Sequence, residues 1–303
     1  MRASLRRLLD HPIDYAGLFP PANFDMATAV AEYRDVLASA DSWIIDRFIC
    51  PAQRLEEFSQ TISRREPGSY HLTVLGTVDG TAVSVKQDAE AIGKATANGV
   101  IQVDAYEVKL PGGSGLAPAV ASVAKLGRLI GDEEVDIYLE VGWGDDMVDA
   151  MHESVSVFEA AGFKARTGGV SSDAFPDTAS VASFISECAA LECTFKFTAG
   201  LHEPVRYYDE DMGVYRHGFL NVMLAGALAV TQDLNRKEIE KVLEIDDPMQ
   251  FNFGVDDIKV GTHWIEAKDI EQFWASFGGF GSCSIQEPLD GLRRLRLLDG
   301  VEA

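Results

Sequence analysis

The chain has 303 residues, with 48 Asp and Glu against 26 Lys and Arg, a formal net charge of −22. Such a surface repels phosphate backbones and anionic lipid, so neither nucleic acid nor a membrane surface is expected as a partner. Hydrophobic residues at 47% and charged residues at 24% fit a globular chain and exclude a disordered one.

No apolar run reaches the ~20 residues that a membrane helix needs. The longest, residues 218–230, is interrupted by Asn221. The opening MRASLRRLLDHPIDYAG is basic but lacks an apolar stretch and a cleavage site, so no secretory leader is expected. Cys50, Cys188, Cys193 and Cys283 form no C-x-x-C pair. Reduced thiols in a cytoplasmic protein are the expectation.

In chain order, β-type runs are predicted at 13–19, 43–50, 71–77, 101–110, 135–141, 162–167, 193–198 and 279–285. Apolar residues at helical spacing predict helices at 27–37, 55–62, 89–97, 117–130, 147–161, 181–191 and 289–298. Strand and helix alternate, which implies right-handed crossovers and a parallel sheet. Eight such units predict an α/β fold, a single (β/α)8 TIM barrel domain over 1–303. An open doubly wound sheet is the alternative, but no Gly-x-Gly-x-x-Gly turn is present. Residues 251–264 (FNFGVDDIKVGTHW) break the rhythm and predict an inserted antiparallel hairpin. Its Trp264 makes a homodimer contact one expected use. Residues 207–215 (YYDEDMGVY) read as an acidic, tyrosine-rich loop after the seventh strand.

In a barrel strand every second side chain points inward. Lys164 and Arg166 share a face of the sixth strand, and Lys196 shares one with Thr194 and Thr198 on the seventh. On the fourth strand, alternation groups Glu107 with Lys109 and Asp104 with Tyr106. Two buried lysines on neighbouring strands would lower each other's pKa, the usual preparation of a Schiff-base nucleophile. Equally, the lysines would pair with barrel carboxylates, for which Glu107 and Glu140 are the candidates. Arg166 would add to a local anion pocket. Asp14 and Tyr15 are possible site residues, or part of a structural plug that ends at Pro20-Pro21. Asp46 and Arg47 fall on opposite faces of the second strand. After the seventh strand, His202, Glu203 and His217 offer either a divalent-metal site or, through His202, a general acid and base.

The strand-end motifs together resemble deoxyribose-phosphate aldolase and its class I aldolase relatives. Ile13-Asp14-Tyr15 is similar to the family's Ile-Asp-His, and Leu139-Glu140-Val141-Gly142 to its Ile-Glu-Thr-Gly. Lys164-Ala165-Arg166-Thr167-Gly168 resembles Lys-Thr-Ser-Thr-Gly, and Lys196-Phe197-Thr198-Ala199-Gly200 resembles Lys-Pro-Ala-Gly-Gly. Phe280-Gly281-Ser282-Cys283-Ser284 is similar to Phe-Gly-Ala-Ser-Ser, and Tyr106-Glu107-Val108-Lys109 stands where the family has Asp-Glu-Val-Asp. These short words are spread from about residue 13 to 298.

The resemblance implies that Lys164 forms the Schiff base and Lys196 keeps it partly neutral. It implies that backbone amides around Gly200, Gly281, Ser282 and Ser284 hold an anion. The family's proton-shuttling Asp aligns with Lys109, which leaves Glu107, Glu140 or His202 for proton transfer. The expected activity is a class I aldolase-like lyase acting on a small anionic carbonyl compound, with no cofactor. The alternatives are a non-catalytic barrel that binds a small anion and a metal-assisted sugar isomerase using His202, Glu203 and His217.

Overall fold

The computed structural model describes residues 1–62, 70–78, 80–131 and 134–298. Its strands are β1 (Ile13–Tyr15), β2 (Ile45–Pro51), β3 (Tyr70–Leu75), β4 (Ile101–Lys109), β5 (Asp136–Glu140), β6 (Gly162–Arg166), β7 (Phe195–Thr198), β8 (Tyr207–Asp209), β9 (Val214–Arg216), β10 (Phe251–Phe253), β11 (Asp257–Val260), β12 (His263–Glu266) and β13 (Phe277–Ser282). A closed barrel runs in the order β1-β13-β7-β6-β5-β4-β3-β2. Helices alternate with its strands, so the fold is an α/β (β/α)8 barrel and the open doubly wound sheet is excluded. Two compact units share the chain: Ile13–Ala165, and Met1–Pro12 with Arg166–Ala303.

In the first unit the outward faces of the strands are aromatic. Tyr15, Tyr33, Phe48, Phe58 and Tyr70 form a continuous run of ring contacts between 5.1 and 6.2 Å. The helix that supplies Tyr33, Met26–Leu37, is started by Asp25, whose carboxylate accepts from the Thr28 N–H at 2.8 Å. Asp88, on the helix Ala82–Thr96, accepts from the Tyr106 hydroxyl at 2.7 Å and from the Thr77 amide at 2.8 Å. That fixes a helix to β4 from outside and turns Tyr106 away from the barrel interior. The predicted helix at 117–130 is two pieces, Leu116–Val123 and Leu126–Ile130. The first strand stops at Tyr15, four residues short of its expected end, because the chain turns there and the Phe19 N–H donates to the Ala16 carbonyl.

One irregularity matters for the interior. Leu72 pairs with Val103, but the next residue, Thr73, pairs with Ala105, so Asp104 is an extra residue in β4. Such a bulge resets the alternation. Asp104 therefore does not share a face with Tyr106: its carboxylate meets His71 at 2.8 Å and the Gln102 amide at 2.8 Å.

In the second unit, Phe195 makes ring contacts with Phe184, Phe197, Phe273 and Phe277, and Phe219 stacks on Phe280 at 5.6 Å. The apolar run at 218–230 becomes the helix Phe219–Gln232, buried along most of its length. Its Asn221 is satisfied there: the side-chain amide donates to the carbonyls of Val242 (3.0 Å) and Ile245 (2.8 Å), and its oxygen accepts the Arg206 N–H. Gly279 has a φ of +85°, and a side chain there would meet the Pro12 carbonyl oxygen at 2.7 Å. The close approach lets the Phe280 N–H donate to Pro12 at 2.8 Å.

The expected loop at 207–215 is a two-stranded antiparallel ribbon, β8 and β9. The inserted hairpin is present but larger than predicted. A third strand makes the antiparallel sheet β10-β11-β12, which extends to Glu266. Among the described residues, no helix is long and apolar enough to cross a membrane.

Candidate active site

Three strands of the first unit aim charge into the interior. Register pairs Glu107 with Tyr138 between β4 and β5, and Glu140 with Lys164 between β5 and β6. Glu107, Glu140 and Lys164 thus lie on inward positions of consecutive strands. The Lys164 ammonium lies 2.7 Å from Glu107 Oε2 and 2.8 Å from Glu140 Oε2. All three side chains are less than a tenth exposed. The neighbouring strands bring Asp14 and Thr73, both buried, into contact: the Thr73 hydroxyl donates to Asp14 Oδ2 at 2.7 Å. The other Asp14 oxygen accepts the Arg47 N–H at 3.4 Å, and the Arg47 guanidinium pairs with Asp46 at 3.1 Å.

Charges this deep must be compensated, because the desolvation cost of each ion is several kcal/mol. Burial by itself pushes the Lys164 pKa down. The charges of Glu107 and Glu140, and their hydrogen bonds, reverse that and hold the ammonium above the ordinary lysine range. That direction is opposite to the lowering expected of a lysine beside a second cation. Lys164 therefore rests protonated, clasped by Glu107 and Glu140. Arg47 shows the same balance: burial works against its charge, while Asp14 and Asp46 hold it above its usual value.

The other expected site residues are spread more widely. Lys109, in register with Glu140, is exposed at the end of β4. Arg166, expected to point inward, is exposed as well, at the last position of β6. Lys196 is fully buried between Phe195 and Phe197 on β7. Gly200 has a φ of +80° and touches Gly168 so closely that a side chain on it would lie 3.0 Å from the Gly168 Cα. Thr167 locks this approach, its hydroxyl donating to the Ala199 carbonyl at 2.5 Å. The serines turn on themselves: the Ser282 hydroxyl donates to the Ser284 carbonyl at 2.6 Å, and the Ser284 hydroxyl accepts the Glu287 N–H at 3.2 Å. Gly281 is buried on β13.

The three residues considered for a metal diverge. His202 lies 2.5 Å from Glu287, Glu203 pairs with Arg294 at 2.9 Å, and His217 Nε2 donates to the Pro176 carbonyl at 2.8 Å. Among the described residues no group of three or more His, Cys, Asp and Glu side chains could hold a metal ion. That removes the sequence basis for the sugar isomerase. Burial is the main reason the His217 pKa falls below its usual value, with Arg206 adding to it against the opposing Pro176 hydrogen bond and Asp177. His217 is thus neutral, with its proton on Nε2.

The sequence singles out Lys164, Glu107 and Glu140, and strand register settles which of them meet. Of the Asp14–Thr73 contact the sequence points to Asp14 alone, since nothing in its pattern distinguishes Thr73 from any other strand threonine. No protein-family model matches the chain, and no curated protein matches it.

Proposed function

We propose that the protein is a barrel lyase of the class I aldolase type, in which Lys164 forms a Schiff base with a small carbonyl compound. The observation that carries this reading is the contact of one buried lysine with the buried Glu107 and the largely covered Glu140 inside the barrel. A resting ammonium cannot attack a carbonyl, so it must first lose a proton, and Glu107 and Glu140 are within hydrogen-bond distance to take it. Lys164 Nζ then adds its electron pair to the carbonyl carbon, and the carbonyl oxygen becomes a hydroxyl. Loss of that oxygen as water leaves the iminium. In the cleavage direction the iminium accepts the electron pair of the breaking carbon–carbon bond, and the second carboxylate takes the proton of the departing hydroxyl. Hydrolysis of the enamine after protonation returns Lys164. The exposed Lys109, in register with Glu140, supplies a cation for an anionic group on the substrate.

Reductive trapping tests the reading. The protein is incubated with a panel of small aldehydes, ketones and 2-oxo acids, reduced with borohydride, digested and mapped by mass spectrometry. A saturable adduct on Lys164, absent in Lys164→Met, is the expected result. A panel that labels only surface lysines overturns it.

The raised Lys164 pKa favours a second reading, in which Lys164 stays an ammonium and the barrel binds a small ligand without covalent chemistry. Binding of a panel member, seen by calorimetry, with no adduct at Lys164 under borohydride would select that reading.

A further inference from the structure

Two of the four cysteines occupy paired positions in one helix-ending motif, which neither the fold nor the proposed chemistry uses. The helix Thr178–Ala190 is followed by Leu191 in the helical region and Glu192 in the left-handed region, at a φ of 52°. The Glu192 N–H donates to the Ala189 carbonyl at 3.2 Å, and the Cys193 N–H donates to the Cys188 carbonyl at 3.1 Å. These two bonds define a Schellman ending, which brings the side chain after the left-handed residue against the one five positions before it. Apolar residues usually fill both places. Here both are cysteines, and the Cys193 thiol also donates to the Cys188 carbonyl, at 3.6 Å. Neither is in a disulfide.

We propose that Cys193 and Cys188 are a redox pair that a hydroperoxide converts to an intramolecular disulfide. Cys193 is the attacking thiol and Cys188 the resolving one. The Cys193 thiolate attacks the peroxide O–O bond, gains one oxygen as a sulfenic acid, and releases water or an alcohol once the leaving oxygen is protonated. The Cys188 thiol then displaces hydroxide from that sulfur, its proton completes a second water, and the S–S bond forms. Two sulfurs are oxidised by two electrons in all, and the peroxide is reduced by two.

The two thiols are differentiated for these roles. Hydrogen bonding from Cys188 holds Cys193 below the usual thiol range, while burial pushes Cys188 well above it. Cys50, buried without such a partner, is pushed up to about 12 and is the inert control. The motif lies in the turn that leads from the helix to β7. A disulfide there would staple that turn beside the strand carrying Lys196.

Both cysteines fall in one tryptic peptide, residues 167–196, which makes the test direct. The native full-length protein is treated with hydrogen peroxide, alkylated, digested without reductant and analysed by mass spectrometry. The expected product is that peptide lacking two hydrogens, restored by dithiothreitol. In Cys188→Ser the same treatment stops at a sulfenic acid on Cys193 that dimedone captures. Recovery of the peptide as free dithiol, or as sulfinic and sulfonic acids with no disulfide, overturns the proposal. Should Cys188→Ser not fold, a brief iodoacetamide pulse on the native protein decides the order of roles. Both thiols are buried, Cys193 at 7% exposure and Cys188 at 1%, and Cys193, whose pKa is lowered, is expected to alkylate roughly tenfold or more faster than Cys188, whose pKa is raised. Equal rates, or Cys188 reacting first, overturn it.

Discussion

The interior of β4, β5 and β6 and the loop that follows β7 both look like chemical sites in the sequence, and they behave differently. Glu107, Glu140 and Lys164 are 57 residues apart at the extremes, yet three strands in register bring both carboxylates within 2.8 Å of the Lys164 ammonium. His202, Glu203 and His217 lie within 16 positions of each other, yet each turns to a separate partner. Strand register delivers convergence, because alternation and pairing fix where each side chain points. A loop has no such period, so nearness in sequence says little about direction.

The comparison predicts unequal costs of mutation. Lys164→Met removes the ammonium that pairs with the buried Glu107 and the largely covered Glu140, and should destabilise the fold by about 3–5 kcal/mol. Urea unfolding followed by circular dichroism would show it, and a loss under 1 kcal/mol would mean that the triad is wetter than its burial implies. Asp14→Asn exchanges a charged acceptor for an amide beside Thr73 and Arg47, with an expected loss of about 1–3 kcal/mol. Thr73→Val should cost a similar amount, and the double variant less than the sum if they act through one contact.

His217 sharpens the loop side. Its folded-state pKa lies below the usual 6.5, so the unfolded chain takes up the proton first. Stability from this group is therefore complete above about pH 6.5 and declines as pH falls through that value toward the folded one. His217→Gln should flatten the dependence between about pH 7.5 and 5.5 relative to the parent; an unchanged slope would assign the acid sensitivity elsewhere. The smallest effect is expected at Glu203. Its partner Arg294 is 62% exposed, so Glu203→Gln should shift stability by about 0.5 kcal/mol or less.

Much of the barrel was legible because its strands are short, β-branched or aromatic, and separated by helix-period segments. Ends were less so: the apolar residues after Tyr15 continue the strand pattern, but the chain turns at Ala16–Phe19. Alternation groups Glu107 with Lys109 without saying which face is inward, and it fails at Asp104, because one bulged residue resets the phase and leaves no mark in the sequence. The lysine on β6 was legible as a buried cation, whereas its partners depended on register, which a single strand does not encode. That is why both a cation pair and an ion pair stood open, and why the pKa direction came out reversed. Arg166, two positions beyond Lys164, ends its strand and is exposed there, a boundary effect that alternation does not carry. The cysteine pair was readable in principle, through a helix end and a spacing of five, but only the left-handed Glu192 reveals that the two positions meet.

The central claim is that Lys164, though it rests as an ammonium, is the group that reacts with a carbonyl substrate. The most direct test is the stoichiometry and position of reductive trapping as the carbonyl concentration is raised. One adduct per chain, at Lys164, saturating with concentration and absent in Lys164→Met, is the predicted result. Adducts that rise without saturation and map to exposed lysines such as Lys109 and Lys268 would contradict it.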